Sequence, residues 1–355
     1  MIDCSTTELP NAVAADLQRW CDREFQHDSR VTDLLSVEKR SCSTIYRIKV
    51  TAAGQDEYLV CKRIVDDEQN RIFSGRGNPA QWEYSALCRM YQSLGARSAF
   101  GVPTPRAVFP SSNSFLMDHV TGVSVEAILP AVRVTASRDA MKQAQAVLQK
   151  SGAWLRWFQS LNQKSCDDQS VLDITLQHCD DRLQMIAGER DVMIPSGFRS
   201  RTLRKIEAWV RRIDGPVGVT NCHGDFGPWN LMLDQDRLVV FDFFAFRDDC
   251  QLTDLLGMLI YLESQSDAPS FSARRVLRLQ AAFLQGFLPD PTTDPNLMAV
   301  CEAHQRIRRI YDCVMQRPRR WTDRIRLKRT LRKNVDWLVG DGPSLMHRFT
   351  RVTES

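Results

Sequence analysis

The stretch Asn221-Cys-His-Gly-Asp-Phe-Gly-Pro-Trp-Asn230, followed by Leu238-Val-Val-Phe-Asp242, decides how this 355-residue chain is interpreted. It spaces a His-x-Asp pair, an asparagine and a second aspartate so that a loop and a hairpin can present three side chains to one magnesium phosphate. The alternative is a chance polar turn beside an ordinary hairpin. An apolar strand that ends in Asp242 makes this alternative the weaker one, so the stretch indicates phosphoryl transfer.

Apolar, β-prone runs on either side of a polar turn near Asp236 predict the hairpin. With the hairpin centred there, Asn230 falls opposite Asp242, and opposed side chains on one face lie about 4.5–5.5 Å apart at Cβ. An amide oxygen and a carboxylate at that spacing can share one Mg²⁺ with phosphate oxygens, because Mg²⁺ takes few protein ligands. Asp225 lies upstream in the loop, where it can accept the proton of an attacking hydroxyl.

The motif His223-Gly-Asp225-x4-Asn230, with Asp242 after the next strand, resembles that of the aminoglycoside phosphotransferase and choline kinase group. This group consists of small-molecule relatives of the protein kinases. The resemblance implies that Asp225 is the catalytic base and that Asn230 and Asp242 bind magnesium. It also implies that His223 holds the loop and does not react.

A further aspartate, Asp254, begins a strongly apolar segment that predicts a helix, which Thr253 or Asp254 could cap. The resemblance implies that Asp254 supports the site by hydrogen-bonding the backbone of the catalytic loop. Asp248 and Asp249 are nearer in sequence and are alternatives for this role.

The amino-terminal third reads as a small sheet with one key helix. The predicted elements are a helix at 11–25, strands at 45–50 and 58–65 around a turn at 51–57, and a helix between the cap Asn78 and Gly95. On that last helix Glu83 lies on the same apolar stripe as Leu87 and Met90. Burying a carboxylate there costs free energy unless a cation pairs with it. Lys62, inside the second strand, is the candidate for this cation, although a lysine in a strand usually faces solvent. In the resembling families such a Lys–Glu pair holds the nucleotide phosphates.

The segment Lys39-Arg-Ser-Cys-Ser-Thr-Ile-Tyr46 occupies the position of the glycine-rich phosphate loop of protein kinases but contains no glycine. Ser41, Ser43 and Thr44 could bind phosphates through their hydroxyls and backbone N–H groups. The glycines near residues 71–78 are predicted to belong to a surface loop.

Residues 115–122 predict a strand that runs into a turn. In the resembling families this strand is the hinge, whose backbone binds the adenine edge. The resemblance therefore implies that Met117 lies in the nucleotide pocket, with Asp118, His119 and Val120 along the linker.

Composition agrees with a reduced, non-membrane protein. The chain has 47 Lys or Arg against 43 Asp or Glu, and no apolar run of membrane-spanning length. Its start lacks the form of a secretion signal, and its eleven cysteines contain no Cys-x-x-Cys pair, so we expect a cytoplasmic protein with reduced thiols. Cys222 beside His223 suggests a thiol nucleophile, but that leaves the aspartate and asparagine of the motif unexplained.

These features predict an α+β, two-lobed protein-kinase-like fold. Residues 1–117 would form a nucleotide-binding lobe with a small antiparallel sheet, and residues 118–355 a mainly helical lobe with the catalytic loop, metal site and acceptor site. The predicted activity is Mg²⁺-dependent transfer of the terminal phosphate of ATP, or alternatively GTP, to a hydroxyl of a small molecule. A protein kinase is disfavoured by the missing loop glycines and by the absence of Ala-Pro-Glu after Asp242. A non-catalytic nucleotide-binding scaffold would not need both Asp225 and Asp242.

The segment from Cys301 to Gly340 carries twelve Lys or Arg against four Asp or Glu, a net charge of +8, whereas the whole chain is only +4. It predicts two helices, at 304–311 and 322–335, separated by Pro318. Its arginines could form a solvated face, point into the acceptor cleft, or bind an anionic partner such as a phosphorylated lipid head group or a nucleic acid. In each case a polycationic aminoglycoside fits poorly, so we expect a neutral or anionic acceptor.

Overall fold

The computed structural model describes residues 8–25, 29–40, 42–52, 54–65, 77–94, 99–129, 133, 135–166, 170–189, 194–268, 272–290, 293–315, 321–340 and 345. The chain forms two compact units. The first comprises Met1–Val123 and Met232–Phe246, and the second comprises Ser124–Leu231 and Arg247–Ser355. The lobe boundary at residue 117 stays a sequence-based prediction.

The described strands, in chain order, are β1 (Ser29–Lys39), β2 (Ser43–Ala52), β3 (Gln55–Ile64), β4 (Phe100–Gly101), β5 (Pro105–Phe109), β6 (Ser114–Asp118), β7 (Val123–Ser124), β8 (Lys164–Cys166), β9 (Val217–Cys222), β10 (Leu231–Asp234), β11 (Arg237–Val240) and β12 (Arg247–Cys250). The described α-helices are α1 (Asn11–Glu24), α2 (Pro79–Leu94), α3 (Val125–Ile128), α4 (Arg138–Ser160), α5 (Ser170–Gly188), α6 (Phe198–Val210), α7 (Leu252–Gln265), α8 (Ala273–Phe287), α9 (Pro295–Met315) and α10 (Trp321–Val339).

The first unit is built on a five-stranded antiparallel sheet with the order β1-β2-β3-β6-β5. Strands β2 and β3 are longer than predicted and pair up to Ala52 and Gln55, so most of the predicted turn at 51–57 is strand. The sequence did not predict β1. Two register shifts interrupt its pairing with β2, between Val31 and Asp33 and between Leu34 and Ser36, and such bulges break the alternation by which strands are recognised.

Helix α1, predicted at 11–25, covers one face of this sheet. Its apolar side chains Val13, Leu17 and Trp20 belong to one buried cluster with Leu59 and Cys61 of β3. Successive strand residues point to opposite faces, so Lys62 points away from this cluster. Lys62 is nevertheless buried, with only 4% of its surface exposed.

Helix α2 begins as predicted, because the side chain of Asn78 accepts a hydrogen bond from the backbone N–H of Gln81 at 3.0 Å. Its buried stripe includes Glu83, Leu87 and Met90. The predicted helix end at Gly95 lies outside the described residues, as do residues 71–76 of the surface loop predicted at 71–78.

The second unit is mainly helical, with one small antiparallel sheet of order β12-β9-β8. The helix predicted around Gly152 is present as α4, which packs against α8. A Cβ on Gly152 would lie 2.1 Å from the carbonyl oxygen of Phe283, and one on Gly286 would lie 1.8 Å from that of Gln149. These glycines therefore allow the two helix backbones to touch, which explains a glycine inside a long helix. Among the described residues no helix is long and apolar enough to cross a membrane.

Candidate active site

The catalytic-loop motif begins where β9 ends, and Asp254 holds its backbone. One oxygen of Asp254 accepts the N–H of His223 at 2.6 Å and the other accepts the N–H of Gly224 at 3.0 Å. Gly224 has a φ of 77°, the left-handed region that a residue with a Cβ enters at a cost. His223 is fully buried, and its Nδ1 accepts the N–H of Asp225 at 3.3 Å. The backbone bonds expected for Asp254 are thus present.

The other carboxylates considered for this support bind elsewhere. Asp248 accepts hydrogen bonds from Asn162 and Lys164, and Asp249 pairs with Arg247. The predicted cap of α7 is wrong, because its N-cap is Gln251. Asp254 instead lies inside the first helical turn, where its carboxylate faces the loop.

The carboxylate of Asp225 is held by three side chains from the second unit. Its Oδ2 accepts bonds from Trp229 Nε1 at 3.0 Å and Asn230 Nδ2 at 2.9 Å. Its Oδ1 pairs with Arg308 of α9, which also donates to the carbonyl oxygen of Gly224 at 2.6 Å. A carboxylate offers about four acceptor sites, so one remains for a substrate hydroxyl. Sequence reasoning flagged the basic segment that contains Arg308 but did not single out Arg308 or Trp229.

Neither proposed magnesium ligand lies in the hairpin of β10 and β11. The turn Gln235–Asp236 joins these strands, so the hairpin is centred between the two residues and not on Asp236. Asn230 ends a 3₁₀ helix (Pro228–Asn230), and Asp242 follows β11 with a left-handed φ of 69°. The predicted cross-strand pair of Asn230 and Asp242 is therefore wrong, and their role as ligands stays a prediction.

Within its own unit, Asn230 has a side-chain oxygen that no protein donor meets. Its Nδ2 donates to the carbonyl and the carboxylate of Asp225, while its Oδ1 is buried without a hydrogen-bond partner. A buried acceptor without a partner is costly unless a cation or a donor meets it. The described residues contain no group of three or more His, Cys, Asp or Glu side chains that could hold a metal by themselves. The single amide oxygen of Asn230 fits a Mg²⁺ ion that takes most of its ligands from phosphate and water.

In the first unit the structure brings Lys62, Glu83 and Asp242 together. Lys62 Nζ lies 2.8 Å from Glu83 Oε1 and 2.8 Å from Asp242 Oδ1, so the predicted Lys62–Glu83 contact is confirmed. Arg40 Nη1 lies 3.8 Å from Asp242 Oδ2. Arg40 belongs to the glycine-free loop, and sequence reasoning did not single it out because an exposed loop arginine carries no pattern.

Burial and neighbouring charges both shift the pKa values of Lys62 and Glu83. Burial raises the pKa of Glu83 to about 7, against the opposing charge of Lys62. Burial alone would lower the pKa of Lys62, but the charges of Asp242 and Glu83 outweigh it and raise that pKa. Lys62 therefore stays charged, whereas Glu83 can take up a proton near neutral pH.

Two of the predicted phosphate-binding residues lie in the first unit's sheet. Ser43 and Thr44 belong to β2, with Ser43 buried, and Ser41 lies outside the described residues.

The predicted hinge residues Met117 and Asp118 end β6. The next two, His119 and Val120, are half-buried, and His119 donates its N–H to the carbonyl oxygen of Tyr58 at 3.0 Å. Nucleotide binding by these four residues stays a prediction.

The two helices predicted in the basic carboxy-terminal segment are present as α9 and α10. Their arginines do not form a uniformly solvated face. Arg306 is 1% exposed and is paired with Glu302 and Glu263. In contrast, Arg332 is largely exposed, so only part of the segment is a solvated surface.

The chain matches one known family model over most of its length. Residues 46–293 match the family model described as the phosphotransferase enzyme family (APH). No curated protein matches the chain in sequence.

Similar solved structures include an amicoumacin kinase, hAmiN, with AMP-PNP, Ca²⁺ and Ami (15% identity, 88% of this chain and 91% of that chain covered, TM-score 0.53). They also include APH(2")-IIa in a ternary complex with streptomycin and ATP (14% identity, 94% of this chain and 99% of that chain covered, TM-score 0.52). A third is a glucosamine kinase (14% identity, 89% of this chain and 82% of that chain covered, TM-score 0.54). At these identities the likeness establishes the fold, and the predicted kinase-like α+β fold is confirmed. Because the family model spans well over half of its length, this chain belongs to the phosphotransferase enzyme family.

Proposed function

We propose that this phosphotransferase moves the terminal phosphate of ATP to a hydroxyl group of a small molecule, with Mg²⁺ as the required metal. The observation that carries the proposal is Asp225, a partly exposed carboxylate held from three sides with acceptor capacity to spare. A carboxylate in that position can orient a hydroxyl and accept its proton. ATP is favoured over GTP because similar solved structures contain AMP-PNP or ATP.

The proposed reaction is one in-line displacement. The acceptor hydroxyl oxygen forms a bond to the γ-phosphorus, the bond from that phosphorus to the β–γ bridging oxygen breaks, and ADP leaves with that electron pair. The hydroxyl proton passes to Asp225. Because such a transfer needs little covalent help, positioning and charge neutralisation supply most of the rate enhancement.

The nucleotide phosphates would bind to Lys62, which Glu83 orients, with Arg40 as an additional cation. When bound, Mg²⁺ would neutralise phosphate charge. Asn230 would hold it through the free Oδ1, and Asp242 would hold it through the carboxylate that now meets Lys62. Ser41, Ser43 and Thr44 remain proposed phosphate contacts. Met117, Asp118, His119 and Val120 remain proposed contacts of the nucleotide base.

We propose a neutral or anionic acceptor, such as a sugar or an amino alcohol derivative, because Arg308 contacts the proposed base directly. The cytoplasm remains the proposed location, because the scattered cysteines of the sequence, without a Cys-x-x-Cys pair, suit reduced thiols.

The test is ADP release from purified protein with ATP, Mg²⁺ and a panel of sugars, amino alcohols, aminoglycosides and lipids. We expect Mg²⁺-dependent ADP release with at least one neutral or anionic hydroxyl compound, and transfer of ³²P to that compound. Efficient phosphorylation of kanamycin-like polycations at micromolar concentration would contradict the acceptor class. Transfer to proteins alone would contradict the small-molecule assignment.

A further inference from the structure

A small cleft in the second unit lies beside the proposed base. Helices α7 and α9 form its walls, and its lining includes Asp225, Trp229, Tyr261, Arg308, Arg309 and Asp312. The rings of Trp229 and Tyr261 meet edge to face with centroids 5.1 Å apart, which makes one wall aromatic. The cleft therefore combines a proton acceptor, an aromatic wall and two guanidinium groups.

The two arginines of the cleft differ in their partners. Arg308 is paired with Asp225, so its charge is matched by a carboxylate. Arg309 donates to the hydroxyl of Ser264 at 3.1 Å, and its guanidinium lies over the ring of Tyr261, 5.8 Å from the centroid. Among the described residues, no carboxylate forms an ion pair with Arg309.

Arg309 also has an unused donor. Its Nε is buried without a hydrogen-bond partner, and a buried donor left without a partner costs about 1–3 kcal/mol. The edge of a guanidinium that carries Nε is one of the edges that bind a carboxylate or phosphate through two parallel hydrogen bonds. A ligand anion at this edge would satisfy the buried donor and match the charge.

The carboxylate of Asp312 is the competing partner in the cleft. Burial raises its pKa above the ordinary value, although the nearby charges of Arg308 and Arg309 oppose that shift. Among the described residues Asp312 nevertheless forms no ion pair with Arg309. With Asp225 already matched by Arg308, the charge of Arg309 remains for a ligand.

We infer that Arg309 forms the recognition site for an acid group of the acceptor, and that the acceptor is a hydroxyl compound bearing a carboxylate or a phosphate. The inference rests on the proposed kinase function and narrows its acceptor class from neutral or anionic to anionic. The aromatic wall of Trp229 and Tyr261 would cover the apolar part of the same molecule.

The experiment uses two sets of hydroxyl compounds, each with a common carbon skeleton and substituents of different charge. Glucose, glucosamine and glucuronate form one set, and glycerol, glycerate and glycerol 3-phosphate form another. ADP release with ATP and Mg²⁺ measures kcat/KM, and ligand-observed NMR without nucleotide measures binding. In at least one set we expect an acid to exceed the uncharged compound about tenfold or more in both measurements, and in the sugar set to exceed glucosamine as well.

Two variants separate the role of Arg309 from a general effect of positive charge. Arg309→Ala should reduce both kcat/KM and binding affinity for the acid about 10- to 100-fold. The loss should appear as a higher KM for the acceptor, with the KM for ATP unchanged. Arg309→Lys should restore part of the loss. The matched control is Arg332→Ala, an exposed residue of α10, which should behave as the unsubstituted protein.

The inference is overturned if no acid binds, if a neutral or aminated member is preferred, or if the acid preference survives in Arg309→Ala. Acid binding that depends on Arg309, without ADP release for any compound, would support the recognition site and count against the kinase function. The two proposals can thus fail separately.

Discussion

The ion pair Lys62–Glu83 in the first unit and the ion pair Arg308–Asp225 in the second differ in their contact with water. The side chains of Lys62 and Glu83 are 5% and 3% exposed, whereas those of Arg308 and Asp225 are 29% and 31% exposed. A buried pair is held by the high cost of leaving either charge alone in the interior. A partly exposed pair loses little when water or a substrate replaces one partner.

This difference matches the tasks proposed for the two pairs. A lysine that holds the nucleotide phosphates benefits from a fixed position, which burial and two carboxylates provide. A base that receives a proton from each new acceptor molecule must be accessible, and the carboxylate of Asp225 is partly exposed. The comparison predicts that substitutions in the first pair act on stability and nucleotide binding, and substitutions in the second on turnover.

The largest expected effect is on turnover, from Asp225→Asn. Because an amide cannot accept the hydroxyl proton, phosphoryl transfer should fall by a factor of about 10² or more while nucleotide binding is kept. Steady-state ADP release and nucleotide titration measure the two quantities. Asp248→Asn, a partly exposed aspartate on β12, is the control. Near-normal turnover of Asp225→Asn would remove the assignment of the base.

The second prediction compares the two pairs by double-mutant cycles in the free energy of unfolding in urea. Lys62→Met with Glu83→Gln should show a coupling of about 1–3 kcal/mol, because either change alone leaves a buried charge. Arg308→Gln with Asp225→Asn should show less than about 1 kcal/mol, because both partners are partly solvated. Equal couplings would mean that burial does not distinguish the pairs. In activity, the losses of the first pair should also be non-additive.

The third prediction concerns the proposed metal ligands. Asp242→Ala should weaken Mg²⁺-dependent ATP binding roughly tenfold more than Asn230→Ala, because a carboxylate neutralises charge and an amide does not. Isothermal titration with and without Mg²⁺ measures this, and the difference should vanish when Mg²⁺ is omitted. If both variants bind ATP like the unsubstituted protein, with and without the metal, neither residue is a ligand.

The fourth prediction concerns a change of stability with pH. The pKa of Glu83 is raised to about 7 in the folded protein from an ordinary 4.5. The stability gained by protonating Glu83 is therefore fully present below the unfolded pKa and is lost as the pH rises through about 7.

The free energy of unfolding should accordingly fall between about pH 5 and 8, relative to that of Glu83→Gln. Urea titrations without nucleotide at several pH values test this. Glu207→Gln, at a half-exposed helix position, should keep the pH dependence of the unsubstituted protein. An identical pH dependence in the Glu83→Gln variant would show that Glu83 stays ionised.

Local patterns predicted much of the first unit and of the catalytic loop. Glu83 was recognisable because a carboxylate on an apolar helical stripe requires a cation, and Lys62 is that cation. The strand β1 was missed because two register shifts break its alternation. The hairpin register was wrong because Asn230 and Asp242 adopt 3₁₀ and left-handed conformations outside the strands.

By itself, the sequence determined the motif around Asp225, the buried lysine and glutamate, and the family, because these features follow from residue types at short or regular spacings. Only the tertiary structure decided that Arg308 would bind Asp225 and that the buried Nε of Arg309 would have no hydrogen-bond partner. Arginines repeat throughout that segment, and exposed or paired arginines have the same sequence pattern. Their partners depend on how α9 packs in the second unit, over more than eighty residues of intervening chain.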